Sequence, residues 1–421
     1  MKLNRFRFLG RGLAGLALAG LLLPFNTTHS QPAPGVVVPP GESLQLGLAV
    51  SLSGETLPEA GTDVLYAVNL ALETVNAAGG VRGFPLSLVI EDDQCAPAQA
   101  SLAADVLVQQ PYLVAVIGHL CSGPTLAALP TYQAVGIPVI SPSATAAALS
   151  QVEGNLFSRT ILSDTQQGVV AARYIAEVLG VQQIALAHDG GSYGAGLAEI
   201  VATTLTEDLG GGLLTTLVLD PADTDYADDL APLALSGNAP ELIYFGGYSD
   251  EASLLLEALR TLQLDETILF SGDGIKNDAF LERLGALSEG SYATLAAPDE
   301  AMDARIAEFD TRYEAAYGVA PSILGPYHTN AYDAVGIVLA ALNQVAEVNA
   351  EGALVIDRAE LAAAIRATEN YNGLSGILTC DAVGDCGSGS IQVFQVIEGV
   401  FVQLELPEDL LRPATPEAAG D

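Results

Sequence analysis

Short apolar runs alternate with longer amphipathic stretches along almost the whole chain. LQLGLAV, ending at Val50, reads as a buried strand, and residues 63–76 (DVLYAVNLALETVN) as a helix closed by Gly79-Gly80. LSLVIEDD is the next strand and AQASLAADVLVQQ the next helix. LVAVIG and PVISPS are two further strands with a helix between them. Past residue 160 the rhythm restarts: helix 164–179, strand QIALAHD, helix 194–209, strand TTLVLD, helix 226–235, strand LIYFGG, helix 250–262 and strand TILFSGD. Strands this short and apolar, separated by helices, predict mostly parallel sheets covered on both faces. Two such runs predict an α/β fold of two doubly wound lobes. The end of the chain differs: GILTCD, IQVFQVIEG and VFVQLEL predict a late β segment with a hairpin.

Both ends fall outside this rhythm. Lys2, Arg5, Arg7 and Arg11 precede an apolar run from Leu13 to Leu23, which Pro24 breaks. Thr28 and Ser30 then supply small residues before a cut at Gln31, so residues 1–30 read as a signal peptide. The run is shorter than the roughly 20 residues a bilayer span needs. No cysteine lies near the cut, so the mature chain is expected to be soluble and periplasmic or otherwise extracytoplasmic. Residues 31–41 (QPAPGVVVPPG) read as a flexible spacer and 406–421 as a flexible tail. The remaining ~390 residues exceed one ordinary core, which again predicts two domains.

Charge narrows the partners. Four of the 15 basic residues lie in the first thirty positions, so 11 face all 51 acidic residues in the rest of the chain. Such a field repels nucleic acid and anionic lipid. The four cysteines, Cys95, Cys121, Cys380 and Cys386, are an even set in an exported chain, which favours disulfides. Zinc is the competing reading, but no histidine stands near them at ligand spacing, and neither metal nor cofactor is expected.

In parallel α/β sheets ligands bind beyond the carboxyl ends of strands. Two successive strands end in Ile117-Gly118-His119-Leu120-Cys121-Ser122 and in Ser141-Pro142-Ser143-Ala144-Thr145, each expected to lead into a helix. Ser122 and Thr145 would place hydroxyls beside free backbone N–H groups, a setting suited to a carboxylate. They could equally be plain helix caps. The second run places Tyr193, Tyr248 and Asp273 at strand exits, where they would suit a cationic amine. Loop packing for the tyrosines and a turn within Gly272-Asp273-Gly274 are the alternatives.

An enzyme is not indicated. P-loop and H-E-x-x-H patterns are absent. His119 and His188 sit at strand ends without a Ser or Cys arrangement that suggests a triad, and read as structural. The acidic run from Asp220 to Asp229 lacks the central Gly and closing Glu of a calcium loop, and reads as a loop capping a helix near Tyr226.

Several segments together carry a resemblance: NAAGGVRG (76–83), DDQCAPAQA (92–100), IGHLCS (117–122), ISPSAT (140–145), AHDGGSYGAGLA (187–198), YFGGYSDE (244–251), FSGDG (270–274) and AYDAV (331–335). From about residue 44 to 405 the chain resembles the leucine/isoleucine/valine-binding branch of the type I periplasmic binding proteins, which serve ABC transporters. The resemblance implies two lobes joined by a three-strand hinge, lobe 1 from 42–162 and 296–376, lobe 2 from 163–295 and 377–405. It implies that Ser122 and Thr145, helped by backbone near Cys121 and Ser143, bind an α-carboxylate. Tyr193 and Tyr248 would close from the second lobe, and Asp273 would pair with the α-ammonium. Cys95–Cys121 matches a family disulfide; Cys380–Cys386 has no counterpart in that branch and reads as a second, small-loop bridge.

The implied function is capture of an amino acid by a monomeric protein and its delivery to a membrane permease. An extracytoplasmic sensor for an amide, polyamine or other amine is the alternative. Two departures bear on the ligand: Ala60 lies nearest a position that is often aromatic in the family, and Asp273 replaces the longer Glu.

Overall fold

A computed structural model describes residues 35–235, 239–407 and 410, and two sheets organise them. The first has five parallel strands in the order Leu86–Asp92, Leu44–Val50, Leu113–Gly118, Val139–Ser141 and Phe157–Arg159. Leu113–Gly118 is buried at every position because apolar clusters lie on both faces. Val116 packs with Leu107 and Leu129 on one side, while Ile117 joins the cluster of Val64 and Val338 on the other.

The second sheet has seven strands, in the order Val400–Gln403, Ser390–Ile397, Tyr292–Ala297, Ile268–Ser271, Leu242–Gly246, Ile184–His188 and Leu213–Val218. The five from the second run are parallel, and the predicted late hairpin adds two antiparallel strands at the edge. Its turn, Glu398-Gly399, has φ of 53° and 78°, the positive pair that a tight hairpin turn takes. The fold is thus α/β with two doubly wound lobes and mostly parallel sheets.

The chain passes from the first sheet to the second after Arg159, leaves the second after Ala297 for a helix, His328–Val345, that packs on the first, and rejoins the second between Leu378 and Ser390. Side chains fasten these passages. Thr160 Oγ1 donates to the Asn330 carbonyl at 2.9 Å, and Asn330 Nδ2 donates back to the Thr160 carbonyl at 2.6 Å. Arg159, fully buried, donates through Nε and Nη2 to Asp385 at 2.7 and 2.9 Å. Its Nη1 donates to the carbonyls of Ala144, Thr145 and Ala146 at 3.2, 2.7 and 3.0 Å, and Ser150 is a further partner.

Several expectations are corrected. The spacer 31–41 contains the strand Val36–Val38, antiparallel to Leu354–Ile356. Val36 and Val38 are buried and Val37 is exposed, because three β-branched residues outweigh the flanking prolines. The helix placed at 63–76 runs from Pro58 to Ala77: proline at its first position starts it a turn and a half early. Thr145 leads into a short 3₁₀ turn, Ala147–Gln151, not a full helix. The signal peptide and most of the tail lie outside the described residues, but Leu410 within that tail is buried in a cluster with Leu186 and Val393.

Both disulfides form as paired above. Cys95–Cys121 spans 26 residues and Cys380–Cys386 six, with Cα separations of 5.5 and 3.8 Å. The longer loop restricts the unfolded chain more. Replacing Cys95 and Cys121 together by serine is expected to cost about 3–4 kcal/mol in urea unfolding, against about 2 kcal/mol for the Cys380/Cys386 pair.

Candidate functional site

The strand exits of both sheets meet. Ser122, Ser143 and Thr145 from the first line one small cavity together with Tyr193, Tyr248 and Asp273 from the second. All six residues singled out from the sequence are therefore neighbours. Leu57 and Tyr327 complete the enclosure. The space they leave is about 10 Å³. Through Leu57, Tyr248, Asp273 and Tyr327 it adjoins a cavity of about 240 Å³, which Ala60 also lines. An aromatic side chain in place of Ala60 would fill part of that space.

The capping alternatives do not hold for the anion side. Cys121, not Ser122, takes the cap position of the helix Ser122–Ala134, and Ser122 Oγ instead accepts from Ala146 N at 3.2 Å. This bond ties the two strand-end loops together. Thr145 caps nothing: Ala146 precedes the 3₁₀ turn. The first N–H groups of the helix, on Ser122 and Gly123, have no acceptor within it. Backbone near Ser143 is less available than expected. Its N–H, like that of Ala144, points to Ser141 Oγ, at 3.2 and 2.9 Å, and its hydroxyl donates to the Leu120 carbonyl at 2.8 Å.

Asp273, 7% exposed, opens the 3₁₀ turn Asp273–Ile275, but its carboxylate reaches away from that turn. Oδ1 accepts from the Tyr193 hydroxyl at 2.7 Å and from Gln167 Nε2 at 2.9 Å; Oδ2 accepts from the Tyr327 hydroxyl at 2.9 Å. Glycine on either side makes this possible. A Cβ on Gly272 would lie 2.5 Å from the Tyr193 oxygen, and one on Gly274 2.4 Å from the Gly247 carbonyl oxygen. Burial, with the Asp273 charge next, pushes the Tyr193 and Tyr327 phenols well above their ordinary range, so they remain neutral donors. The rings of Tyr193 and Tyr248 lie 5.2 Å apart and tilted by 33°.

Three residues here escaped the sequence reading: Gln167, Tyr327 and Asp164. Asp164 is fully buried at the start of the helix Asp164–Arg173. Burial first and the Asp273 carboxylate second push its carboxyl up to about 8, against the pull of Thr145 and Arg159. Neither of its oxygens, nor Gln167 Oε1, nor the Tyr244 hydroxyl makes a well-formed hydrogen bond among the described residues. The one available sign was the segment SDTQ, whose Ser163 and Gln166 form a reciprocal cap around Asp164.

The histidines keep to structure. His119 Nδ1 lies 2.7 Å from Asp93 Oδ2 and its Nε2 3.1 Å from the Tyr132 hydroxyl, all fully buried. His188 Nδ1 accepts from Gly190 N at 3.1 Å. Among the described residues no group of three His, Cys, Asp or Glu side chains is arranged to hold a metal ion. In the acidic run, Asp225 accepts from Ala227 N at 2.8 Å at the head of the helix Ala227–Leu235.

What this geometry offers the two charged ends of a small zwitterion is hydroxyls and N–H groups on one wall and a buried carboxylate among phenols on the other. The comparisons with known proteins give the family. The family described as "Periplasmic binding protein" matches residues 43–399. The chain is 32% identical over 329 residues to the leucine-, isoleucine-, valine-, threonine- and alanine-binding protein of Pseudomonas aeruginosa, covering 77% of this chain and 83% of that one. It is 32% identical over 254 residues to the Leu/Ile/Val-binding protein of Escherichia coli, covering 60% and 67%. The crystal structure of a leucine-binding protein from Thermotoga maritima superposes with a TM-score of 0.74 at 26% identity, over 87% of this chain and 99% of that one.

Proposed function

Because the chain belongs to the family of periplasmic binding proteins, we propose that it captures a free α-amino acid between its lobes and delivers it to an ABC-transporter permease. The observation that supports this best is the opposition of Ser122 and Thr145 to Asp273 across one cavity. The ligand α-carboxylate docks on the first lobe, against the Ser122 and Thr145 hydroxyls and the helix N–H groups. Closure brings Tyr193, Tyr248 and Asp273 over the α-ammonium and expels water from the charged contacts. Release of Gln167, Tyr193 or Tyr327 from Asp273 frees acceptor sites for the ammonium, since a carboxylate offers about four.

The lobes in this reading are residues 42–162 with 296–376, and 163–295 with 377–405. The protein works outside the cytoplasm, as a monomer that binds without turnover. Among the described residues no helix is long and apolar enough to cross a membrane.

Titration calorimetry with a panel of free amino acids, amides and polyamines tests the reading. A bound α-amino acid at 100 times its Kd is expected to stabilise the fold by about 2.7 kcal/mol. A panel in which no zwitterion gives heat or a melting shift would sink it.

A further inference from the structure

Beyond the N-terminal thirty residues the chain has a single lysine, Lys276, and it stands in the cleft. It follows Asp273 by three residues and lines the cavity of about 240 Å³ that adjoins the zwitterion site. It also lines a cavity of about 640 Å³ farther along the cleft, in company with Asn277 and Gln392. Its Nζ lies 4.4 Å from the centre of the Phe394 ring and 5.8 Å from that of Phe401.

The other cations among the described residues are accounted for. Each described arginine donates to a carboxylate, a carbonyl or a side-chain oxygen. Lys276 alone among the described basic residues has neither a hydrogen bond nor an ion pair. Its ammonium rests on aromatic faces and is largely withdrawn from water, and burial pulls it below the ordinary lysine range. An ammonium so placed gains most from an anion that arrives beside it. Of the acidic residues of the same cavity, Asp278 attracts the ammonium but forms no ion pair with it. Glu55, Glu59 and Glu282 are exposed, where water and salt screen them, Asp250 is paired with Arg283 at 2.8 Å, and Asp273 is held by Tyr193, Gln167 and Tyr327.

We infer that Lys276 recognises a carboxylate at the far end of the ligand side chain, so that the cognate ligand is an acidic α-amino acid. The inference rests on the zwitterion reading of the adjoining site. The ligand backbone sits between Ser122, Thr145 and Asp273, and its side chain leaves past Ala60 towards Lys276. The short side chain of Ala60 keeps that route open.

Calorimetry with glutamate, its neutral isostere glutamine, the one-methylene homologues aspartate and 2-aminoadipate, and leucine distinguishes the outcomes. The native protein is expected to bind the best-fitting acid about tenfold or more tighter than glutamine or leucine. Lys276→Gln is expected to erase that ratio while keeping the native melting temperature, and Lys276→Arg to retain most of it. Equal binding of glutamine or leucine and the acids by the native protein overturns the inference and leaves amino-acid capture standing. So does a ratio that survives in Lys276→Gln. If no α-amino acid binds at all, the zwitterion reading falls and the inference with it.

Discussion

Asp273→Asn is expected to weaken the binding of an α-amino acid by about 10²- to 10⁴-fold, read as Kd by calorimetry. Removing one partner of a buried charge pair costs about 3–5 kcal/mol, because the ligand ammonium is left unpaired. The local geometry adds to the loss. Asp273 accepts from three donors, Tyr193, Gln167 and Tyr327, and an asparagine in its place turns one acceptor oxygen into a donor. A phenol can rotate to accept, so the ligand-free fold should survive. Its melting temperature should stay near the native value, since the variant also removes a buried charge. Unchanged affinity would remove Asp273 from the site; a collapsed melting temperature would assign it to the fold instead.

The ligand-free protein is expected to lose stability steadily as pH rises from 5 to 9, with several kcal/mol at stake. Asp164 supplies most of this. Its folded carboxyl titrates at about 8 against an unfolded value near 3.8, so between these the folded state holds an extra proton. Each pH unit in that interval costs stability at up to ~1.4 kcal/mol, because the proton must leave a buried site. Asp333 acts in the same sense over a narrower window: burial raises it to about 6 despite bonds from Ser375 and Leu374. His328 extends the decline upward. Burial opposes its charge, but Asp310 and Asp63 outweigh burial and lift it to about 9, so its contribution is full below about 6.5 and lost towards 9. Asp92 has the opposite sign. Burial works against its charge, but the Ser53 hydroxyl and the Leu52 and Gln94 N–H groups prevail and lower it, so it matters only at more acid pH. Melting temperature followed across pH 5–9 checks the slope. Asp164→Asn should flatten it between pH 5 and 8; an unaltered profile in that variant would refute the assignment.

How far the sequence discloses this molecule follows from what each segment is made of. LVAVIG is apolar throughout and buried throughout, so its period and its neighbours' left little choice of sheet. Phe157–Arg159 gave no such sign: three residues with an arginine at the end do not read as a strand, and only the bonds of Arg159 make that arginine a buried one. The site divides in the same way. Ser122, Thr145, Tyr193, Tyr248 and Asp273 follow strands, and strand exits are where an α/β sheet exposes chemistry. Tyr327 reaches the cavity, and Gln167 and Asp164 reach Asp273 by a hydrogen bond and by charge, from helix beginnings on segments that follow the chain's passages between the sheets. No spacing along the chain relates them to Asp273; they meet it because the chain passes between the sheets.

Arg159 makes that passage and the cavity one mechanical unit. One side of its guanidinium holds Asp385, on the third passage, and the other holds the carbonyls of the loop that carries Thr145. A change at Asp385 or Ser150 would therefore alter how often the unliganded lobes adopt the binding geometry, without touching anything the ligand meets. Apparent affinity scales with that fraction, and about 1.4 kcal/mol in the balance is tenfold in Kd. The working concentration of such a protein can thus be reset from its hinge while its selectivity stays where it was.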